Sequence, residues 1–173
     1  MTGATKTLIL LRHGQALSAS AMESDANRKL SAQGQAEAEN VGKIIADKNL
    51  KPDLVLCSTA TRTRETLDGL HKSFAAPLAA RYEQKIYSAS ENELLAQISA
   101  VADDVNSLLL IGHNPSLHQL AVHLARPGNT QLRDDLCLGF PPCAMAVFAL
   151  EGGWNNIKNA NSELQFFSTP TNS

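Results

Sequence analysis

The sequence predicts an α/β fold, a three-layer α/β/α sandwich built on a mostly parallel central sheet. Two observations lead to this prediction. Three short apolar runs are nearly continuous, which is the pattern of strands buried on both faces. Between these runs the apolar residues recur at helical spacing, so strands and helices alternate along the chain as they do in βαβ units.

The three buried strands are predicted at Thr7–Leu11, Asp53–Cys57 and Ser107–Ile111. Their side chains do not alternate between apolar and polar, so we expect helices to cover both faces of the sheet. The first run is also too short for a membrane span or for the apolar part of a signal peptide.

Four helices are predicted from apolar stripes, which run over Ala38–Ile45, Leu67–Phe74, Leu94–Val101 and Leu117–Leu124. Ser31 precedes the first stripe and is a candidate N-cap. Before the fourth stripe, Asn114 is predicted to be the N-cap and Pro115 the first helical residue, since proline is favoured at that position.

The C-terminal part of the chain has a different pattern. Residues Arg126–Pro142 are rich in Pro, Gly, Asp and Asn, which predicts an irregular surface connection. Two further strands are predicted at Ala144–Leu150 and Leu164–Ser168, with a turn at Gly152–Gly153 between them.

Length and composition limit the kinds of protein this chain can be. Its 173 residues fit one domain, residues 1–173. A hydrophobic fraction of 43% with 18% charged residues excludes a disordered chain and a coiled coil. Only 5% of residues are aromatic and the net charge is −2, which argues against a nucleic-acid partner.

Cysteine usage indicates a reducing compartment. The chain has three cysteines, an odd number, and no two of them form a CxxC pair. They are Cys57, Cys137 and Cys143. This spacing argues against a disulfide framework and against a structural zinc site. We therefore expect a soluble cytoplasmic protein that does not associate with membranes.

The strongest functional signal is the set of residues that follow the buried strands. Arg12 and His13 follow the first strand, Arg62 lies just beyond the second, and His113 and Asn114 follow the third. Ligands of open α/β sheets bind beyond the carboxyl ends of the strands. We therefore expect two arginines and two histidines to converge at one edge of the sheet.

These residue types fit the chemistry of a phosphoryl group. Arg12 and Arg62 would bind its oxygens, because a guanidinium presents a planar fork of donors and keeps its charge. The N-termini of the two following helices would add free N–H groups. One histidine, when neutral, can attack phosphorus, and the other, when protonated, can donate to a non-bridging oxygen.

Several basic residues also have a purely structural interpretation. His71, His118 and His123 are expected to be structural, although His118 could support the site from one turn beyond Pro115. Arg28 and Arg64 are expected to lie at the rim of the pocket or in structural pairs. A metal site formed by His13 and His113 is disfavoured, because the two arginines would repel a divalent cation.

The motifs resemble those of the histidine phosphatase superfamily, the phosphoglycerate mutase-like family. Residues 10–14 (LLRHG) resemble its RHG signature, and residues 28–34, 52–66 and 112–115 (GHNP) resemble its later segments in the same order. Residues 86–90 (IYSAS) and the short chain resemble the phosphohistidine phosphatase SixA branch. The resemblance implies a phosphoglycerate mutase-like fold and no cofactor.

By position, the resemblance implies that His13 is the phosphorylated nucleophile and that Arg12, Arg62 and His113 bind the phosphate. Asn114 is assigned to substrate binding with them. Larger members of the family place a glutamate proton donor in a longer segment after the second helix. Glu83 is the acid nearest to that place and is a candidate proton donor, although a solvated loop carboxylate is the alternative.

The sequence therefore predicts a metal-independent phosphatase that works through a phosphohistidine intermediate. Since no strong general acid is evident, a phosphohistidine in a protein is the expected substrate, because its leaving group needs less help than an alkoxide. Two alternatives stay open. One is a small-molecule phosphomonoesterase of the same superfamily, and the other is a non-catalytic phosphate-binding module.

Overall fold

The computed structural model describes residues 5–126 and 130–170 and contains one six-stranded sheet in this part of the chain. The strands are β1 (Thr5–Arg12), β2 (Leu54–Ser58), β3 (Ala80–Glu83), β4 (Ser107–Gly112), β5 (Met145–Glu151) and β6 (Ser162–Ser168). Their order is β3-β2-β4-β1-β5-β6. The first four are parallel, whereas β5 is antiparallel to β1 and to β6. The predicted mostly parallel sheet is confirmed.

Helices cover both faces of this sheet. They are α1 (Ala32–Asp47), α2 (Thr61–His71), α3 (Gln84–Tyr87), α4 (Glu91–Ser99), α5 (Ser116–Leu124) and α6 (Thr130–Leu138), with short 3-10 turns at Asp25–Asn27 and Trp154–Asn156. Helices α1 and α2 pack on one face, and α4, α5 and α6 on the other. The three-layer α/β/α architecture is confirmed.

Strand β1 shows why the predicted strands lack polar alternation. Leu8 and Leu10 point into the core under α4 and α5, while Ile9 and Leu11 point into the core under α1 and α2. All four side chains are fully buried. A strand covered on both faces gains burial from every side chain, which gives a continuous apolar run in the sequence.

The start of α1 agrees with the prediction and the start of α5 does not. Ser31 caps α1, and its hydroxyl accepts a hydrogen bond from the backbone N–H of Gly34 at 3.0 Å. Helix α5 begins at Ser116 with Pro115 at the N-cap, after a cis Asn114–Pro115 peptide bond. The predicted N-cap role of Asn114 is wrong, because its side-chain amide donates to the carbonyl of Phe140 at 2.9 Å instead.

Two regions contain elements that the sequence analysis did not predict. Helix α6 lies inside the segment 126–142, which was wrongly predicted to be irregular throughout; the buried Leu136 anchors this helix in the core. Strand β3 lies at the edge of the sheet beside β2. Its Arg81 and Tyr82 are exposed, so it has no apolar run to reveal it.

No helix in residues 5–126 and 130–170 combines the length and the apolar character that a membrane crossing requires.

Candidate active site

The carboxyl ends of β1, β2 and β4 meet at one edge of the sheet. Arg12 and Gly112 are register partners on the neighbouring strands β1 and β4, so His13 and His113 leave the sheet side by side. Their ring centroids are 5.2 Å apart. A cavity of about 330 Å³ opens here, and it is lined by Arg12, His13, Gln15, Ala16, Asp25, Arg28, Arg62, His113, Asn114 and Pro142. The structure thus brings all five expected phosphate-pocket residues together, while their catalytic roles stay predictions.

His13 is oriented by its own main chain. Its Nδ1 lies 2.8 Å from the carbonyl oxygen of Gly14. A carbonyl only accepts, so Nδ1 carries the proton and Nε2 holds the lone pair in the neutral ring. Burial is the largest cause that lowers the pKa of His13, to about 3. The hydrogen bond to Gly14 opposes this shift, whereas the nearby His113, Arg62 and Arg12 add to it. At neutral pH the ring is therefore uncharged, and its Nε2 has no hydrogen-bond partner among the described residues.

His113 is held from both sides of its ring. Its Nε2 lies 2.8 Å from Ser58 Oγ, and its Nδ1 lies 3.4 Å from an Nη of Arg62. Because the guanidinium donates, Nδ1 accepts, and Nε2 carries the proton that it gives to Ser58. Burial, and then Arg62, lowers the pKa of His113 to about 4. The expectation of a protonated His113 therefore requires the negative charge of a bound phosphate to raise this pKa.

Arg62 is buried at the start of α2, and Asp25 occupies one side of its fork. One Nη donates to the main-chain oxygen of Asp25 at 2.7 Å, and the other donates to its carboxylate at 3.0 Å. Its Nε is buried and has no hydrogen-bond partner among the described residues. Since Arg62 lines the cavity, this unpaired donor is a candidate contact for a bound oxyanion.

Arg12 has the same kind of unused donor. One Nη donates to the carbonyl of Phe140 at 3.1 Å, while its Nε is buried without a partner in the described part of the chain. Burial, and then Arg62, lowers the pKa of Arg12, although a guanidinium retains its charge at neutral pH. Two fixed arginines thus give the cavity a strong positive potential.

The sequence analysis did not identify Asp25 and Tyr87 as site residues. The Tyr87 hydroxyl donates to Asp25 Oδ2 at 2.7 Å, and the Tyr87 ring stands edge-on to His113 with the centroids 5.6 Å apart. Arg28 also pairs with Asp25, at 3.1 Å. The sequence analysis expected Arg28 either in a structural pair or at the rim of the pocket. It forms the pair with Asp25 and also lines the cavity. The pairing with Arg28 is local, but the contacts that bring Asp25 into the site, with Arg62 and Tyr87, join residues far apart in the chain.

Two buried hydroxyl groups hold the loops of the site in place. Thr66 Oγ1 accepts from the backbone N–H of Gly14 at 3.0 Å and donates to the carbonyl of Arg62 at 2.7 Å. It therefore ties the loop after His13 to the helix that carries Arg62. Ser58 fixes the ring of His113, as described above. Both residues lie in the motif of residues 52–66, but the sequence alone gave them no role.

Glu83 is the last residue of β3 and the register partner of Ser58. It is partly exposed, and it is not among the described residues that line the cavity. Its role as proton donor stays a prediction that the geometry does not favour. Among the described lining residues, Asp25 is the carboxylate.

The remaining histidines lie outside the cavity lining. His118 Nε2 donates to the carbonyl of Leu136 at 2.8 Å, and the ring stacks on Phe140. His123 pairs with Glu91 at 2.8 Å on the surface. His71 lies in the last turn of α2. Arg64 lies over the ring of Tyr82, 5.0 Å from its centroid, on the outer side of α2.

Within the described residues, no group of three His, Cys, Asp or Glu side chains is placed to hold a metal ion. All three cysteines are free. Burial raises the pKa of Cys57 and of Cys143 to about 12, so both thiols stay protonated and unreactive.

Comparison with known proteins shows the family. The sequence profile of the histidine phosphatase superfamily (branch 1) matches residues 8–84. An uncharacterised protein of Mycobacterium tuberculosis is 34% identical over 148 residues, which cover 84% of this chain and 91% of that protein.

Solved structures agree with this assignment. The candidate phosphohistidine phosphatase SixA of Agrobacterium tumefaciens is 32% identical with a TM-score of 0.80, covering 95% of this chain and 98% of that one. The candidate SixA of Nakamurella multipartitia is 29% identical with a TM-score of 0.86, covering 98% and 99%. The chain belongs to the histidine phosphatase superfamily, and this membership supports phosphatase activity. The resemblance drawn from the motifs is confirmed.

Proposed function

We propose that the protein is a phosphohistidine phosphatase that acts on a phosphorylated protein through a covalent intermediate on His13, without a metal ion. One observation carries the proposal. His13 presents a free Nε2 at the bottom of a cavity whose walls are formed by Arg12, Arg62 and His113. The hydrogen bond to Gly14 fixes the tautomer that nucleophilic attack requires.

In the first step Nε2 of His13 attacks phosphorus in line with the leaving group. The N–P bond to His13 forms while the bond to the leaving group breaks. The free Nε donors of Arg12 and Arg62 bind the equatorial oxygens. When the phosphate dianion is beside it, His113 takes a proton from solvent on Nδ1, and this N–H then donates to another phosphate oxygen while Nε2–H stays on Ser58. These fixed charges supply the electrostatic stabilisation that a metal ion gives in other phosphatases.

In the second step water attacks phosphorus and His13 leaves. The proton on Nδ1 stays on its hydrogen bond to Gly14, so the ring departs as neutral imidazole. Water and the phosphoryl group together become dihydrogen phosphate, so the protons balance without an added base. The enzyme is thereby returned to its starting tautomer.

The nature of the site supports phosphohistidine as the substrate class. Glu83, the candidate proton donor, does not line the cavity in the described part of the chain. An alkoxide leaving group depends strongly on such an acid, whereas an imidazole does not. The two similar SixA structures are themselves described as candidate phosphohistidine phosphatases, which supports the same substrate class. A phosphorylated protein of a phosphorelay or phosphotransferase chain is therefore the proposed partner.

The experiment measures release of phosphate from a phosphohistidine protein in excess EDTA by the wild type, His13→Ala and His123→Ala. His123 is the matched control, since it is exposed and paired with Glu91 away from the cavity. We expect rapid release by the wild type and by His123→Ala, and none by His13→Ala. Quenched reactions with ³²P should trap label on the wild-type chain in acid-labile, alkali-stable form.

Activity that disappears in EDTA and returns with a divalent cation would overturn metal independence. Full activity of His13→Ala would overturn the nucleophile. Turnover of sugar phosphates without action on phosphohistidine would replace the substrate class with that of a small-molecule phosphomonoesterase. Phosphate binding without turnover of either substrate would indicate a non-catalytic module.

A further inference from the structure

Asp25 places a carboxylate at the mouth of a cavity that otherwise attracts anions. Its side chain is 51% exposed, whereas His13 at the bottom of the cavity is 7% exposed. In-line transfer puts the leaving group on the side of phosphorus opposite the nucleophile. The leaving group therefore points from His13 towards the mouth, where Asp25 lies.

The carboxylate is ionised and fixed in position. Arg28 contacts Oδ1 at 3.1 Å, while Arg62 and Tyr87 donate to Oδ2 at 3.0 and 2.7 Å. The Tyr87 hydrogen bond first, and then the positive charge of Arg62 and Arg28, holds the pKa of Asp25 below its usual value. A rigid negative charge thus remains at the mouth throughout the neutral pH range.

Asp25 retains the capacity to accept one more hydrogen bond. A carboxylate offers about four lone-pair sites, of which two lie on each oxygen. The contacts of the described residues use two on Oδ2 and one on Oδ1. The remaining site on Oδ1 is free for a donor from the substrate.

We propose that Asp25 selects a leaving imidazole that is protonated on its second ring nitrogen, by accepting a hydrogen bond from that N–H. This inference rests on the proposed function and deepens it. A carboxylate favours the cationic form of a neighbouring imidazole and disfavours a leaving group that develops negative charge. Asp25 is thus a specificity-determining residue that separates phosphohistidine from phosphate esters.

The chemistry balances without a proton donor to the scissile nitrogen. The protonated substrate ring carries hydrogen on one nitrogen and the phosphoryl group on the other. When Nε2 of His13 attacks, the electron pair of the broken N–P bond returns to the ring. The ring leaves as neutral imidazole that still holds its proton on the side of Asp25. The site therefore does not need a glutamate general acid.

A different role for Asp25 would be only to hold Arg62 in place. The two roles differ in what they do to substrates with unlike leaving groups. If Asp25 only positions Arg62, its loss weakens the binding of the phosphoryl group of every substrate to the same extent. Loss of contact with the leaving group lowers the rate on phosphohistidine but does not lower the rate on p-nitrophenyl phosphate, whose phenolate leaves without protonation.

The test compares kcat/KM of Asp25→Asn on a phosphohistidine peptide and on p-nitrophenyl phosphate. Asparagine keeps one oxygen to accept from Arg62 but removes the charge. We expect a loss of about 10- to 100-fold on phosphohistidine, the range for a charge-assisted hydrogen bond, and no loss on the ester, whose phenolate departs more easily once the negative charge is gone. Glu23→Gln removes a carboxylate from the same loop and serves as the matched control, with both activities unchanged.

The pH profile provides a second readout. Among the described residues, the charged and titratable groups in contact with Asp25 are Arg28, Arg62 and Tyr87. His113 lies on the other side of Arg62, and Glu23 lines a neighbouring cavity together with Asp25. We expect the wild-type rate on phosphohistidine to persist to higher pH than the rate of Asp25→Asn, because the carboxylate keeps the substrate ring protonated. Equal losses on both substrates, or coincident pH profiles, would overturn the selection role. A wild type inactive on phosphohistidine would instead overturn the proposed function itself.

Discussion

Gly14 and Gly34 approach each other so closely that there is no space for a side chain between them. A Cβ placed on Gly14 would lie 2.7 Å from the carbonyl oxygen of Gly34 and 3.3 Å from Cys143 Sγ. This contact places the loop after His13 directly against the first turn of α1. The close approach of two backbones fixes the carbonyl of Gly14, which in turn orients His13.

Gly14→Ala should therefore impair both folding and catalysis. The new methyl group meets backbone atoms, which cannot rotate away as a flexible side chain would. We expect a loss of about 1–3 kcal/mol in the free energy of unfolding, the range for overpacking, together with a fall in kcat. Urea unfolding and steady-state kinetics measure the two effects.

Gly139→Ala is the control, because a Cβ there meets no atom of the described residues within 4 Å. It also lies in the loop that leads to the cavity wall. If both substitutions have equal effects, the contact between Gly14 and Gly34 does not control the position of His13.

The sheet could be predicted from the sequence because its central strands are buried on both faces. A continuous apolar run such as Leu8–Leu11 reports that environment directly. Strand β3 has no such run, since it is an edge strand with exposed side chains. Helix α6 could not be predicted from the sequence for a related reason. Leu136 is the one fully buried side chain among its described residues, so the helix has no apolar stripe.

The same distinction applies to the site. Arg12, His13, Arg62 and His113 each follow a buried strand closely, so the topology alone predicts that they meet. Asp25 begins a 3-10 turn and Tyr87 ends α3, and they lie 62 residues apart in the sequence. No periodicity encodes a hydrogen bond between two residues so far apart. The contact is evident only in the folded chain.

Ser58→Ala should lower kcat by leaving the buried Nε2–H of His113 without an acceptor. Ser58 is fully buried and accepts that proton at 2.8 Å. An orphaned buried donor costs about 1–3 kcal/mol, so we expect a loss of roughly 5- to 150-fold in kcat if the cost falls on the ring orientation. Steady-state kinetics measure it.

Ser162→Ala separates catalysis from general destabilisation. Ser162 is also a buried serine, and its hydroxyl donates to the carbonyl of Leu124 at 2.6 Å, away from the cavity. This variant should lose stability but keep kcat. A normal kcat for Ser58→Ala would mean that Ser58 does not position His113.

Acid should destabilise the fold through its buried histidines. The folded-state pKa of His13 is about 3, below the unfolded value of 6.5. Between these values the unfolded chain binds the proton and the folded chain does not, so stability falls as the pH drops below 6.5. From pH 7 to pH 5 the loss due to His13 is roughly 2 kcal/mol.

Urea unfolding of the wild type and of His13→Asn at pH 7 and pH 5 measures this contribution. The difference in unfolding free energy between the two pH values should be smaller in His13→Asn by roughly 2 kcal/mol. His123→Asn removes an exposed histidine far from the cavity and is the control for the loss of an imidazole as such. The same pH dependence in all three proteins would show that His13 is not buried in its neutral form.

Arg62→Lys should weaken catalysis even though it conserves the charge. The guanidinium holds Asp25 through both Nη atoms, and its Nε, which has no partner among the described residues, is the donor that we propose for the phosphoryl group. A lysine ammonium is a point charge that cannot reach all of these partners in one plane. We expect kcat/KM to fall about 10- to 100-fold on both phosphohistidine and p-nitrophenyl phosphate, since one charge-assisted hydrogen bond accounts for that range.

Arg64→Lys is the matched control in the same helix. Arg64 is exposed and lies over the ring of Tyr82, so its exchange should leave kcat/KM within about twofold, as expected for a surface substitution. Equal activity of Arg62→Lys and Arg64→Lys would mean that charge alone suffices at position 62. A loss of kcat/KM confined to phosphohistidine would instead mean that the substitution acts through Asp25. We propose that Arg62 binds the phosphoryl group of every substrate, whereas Asp25 contacts only the leaving group.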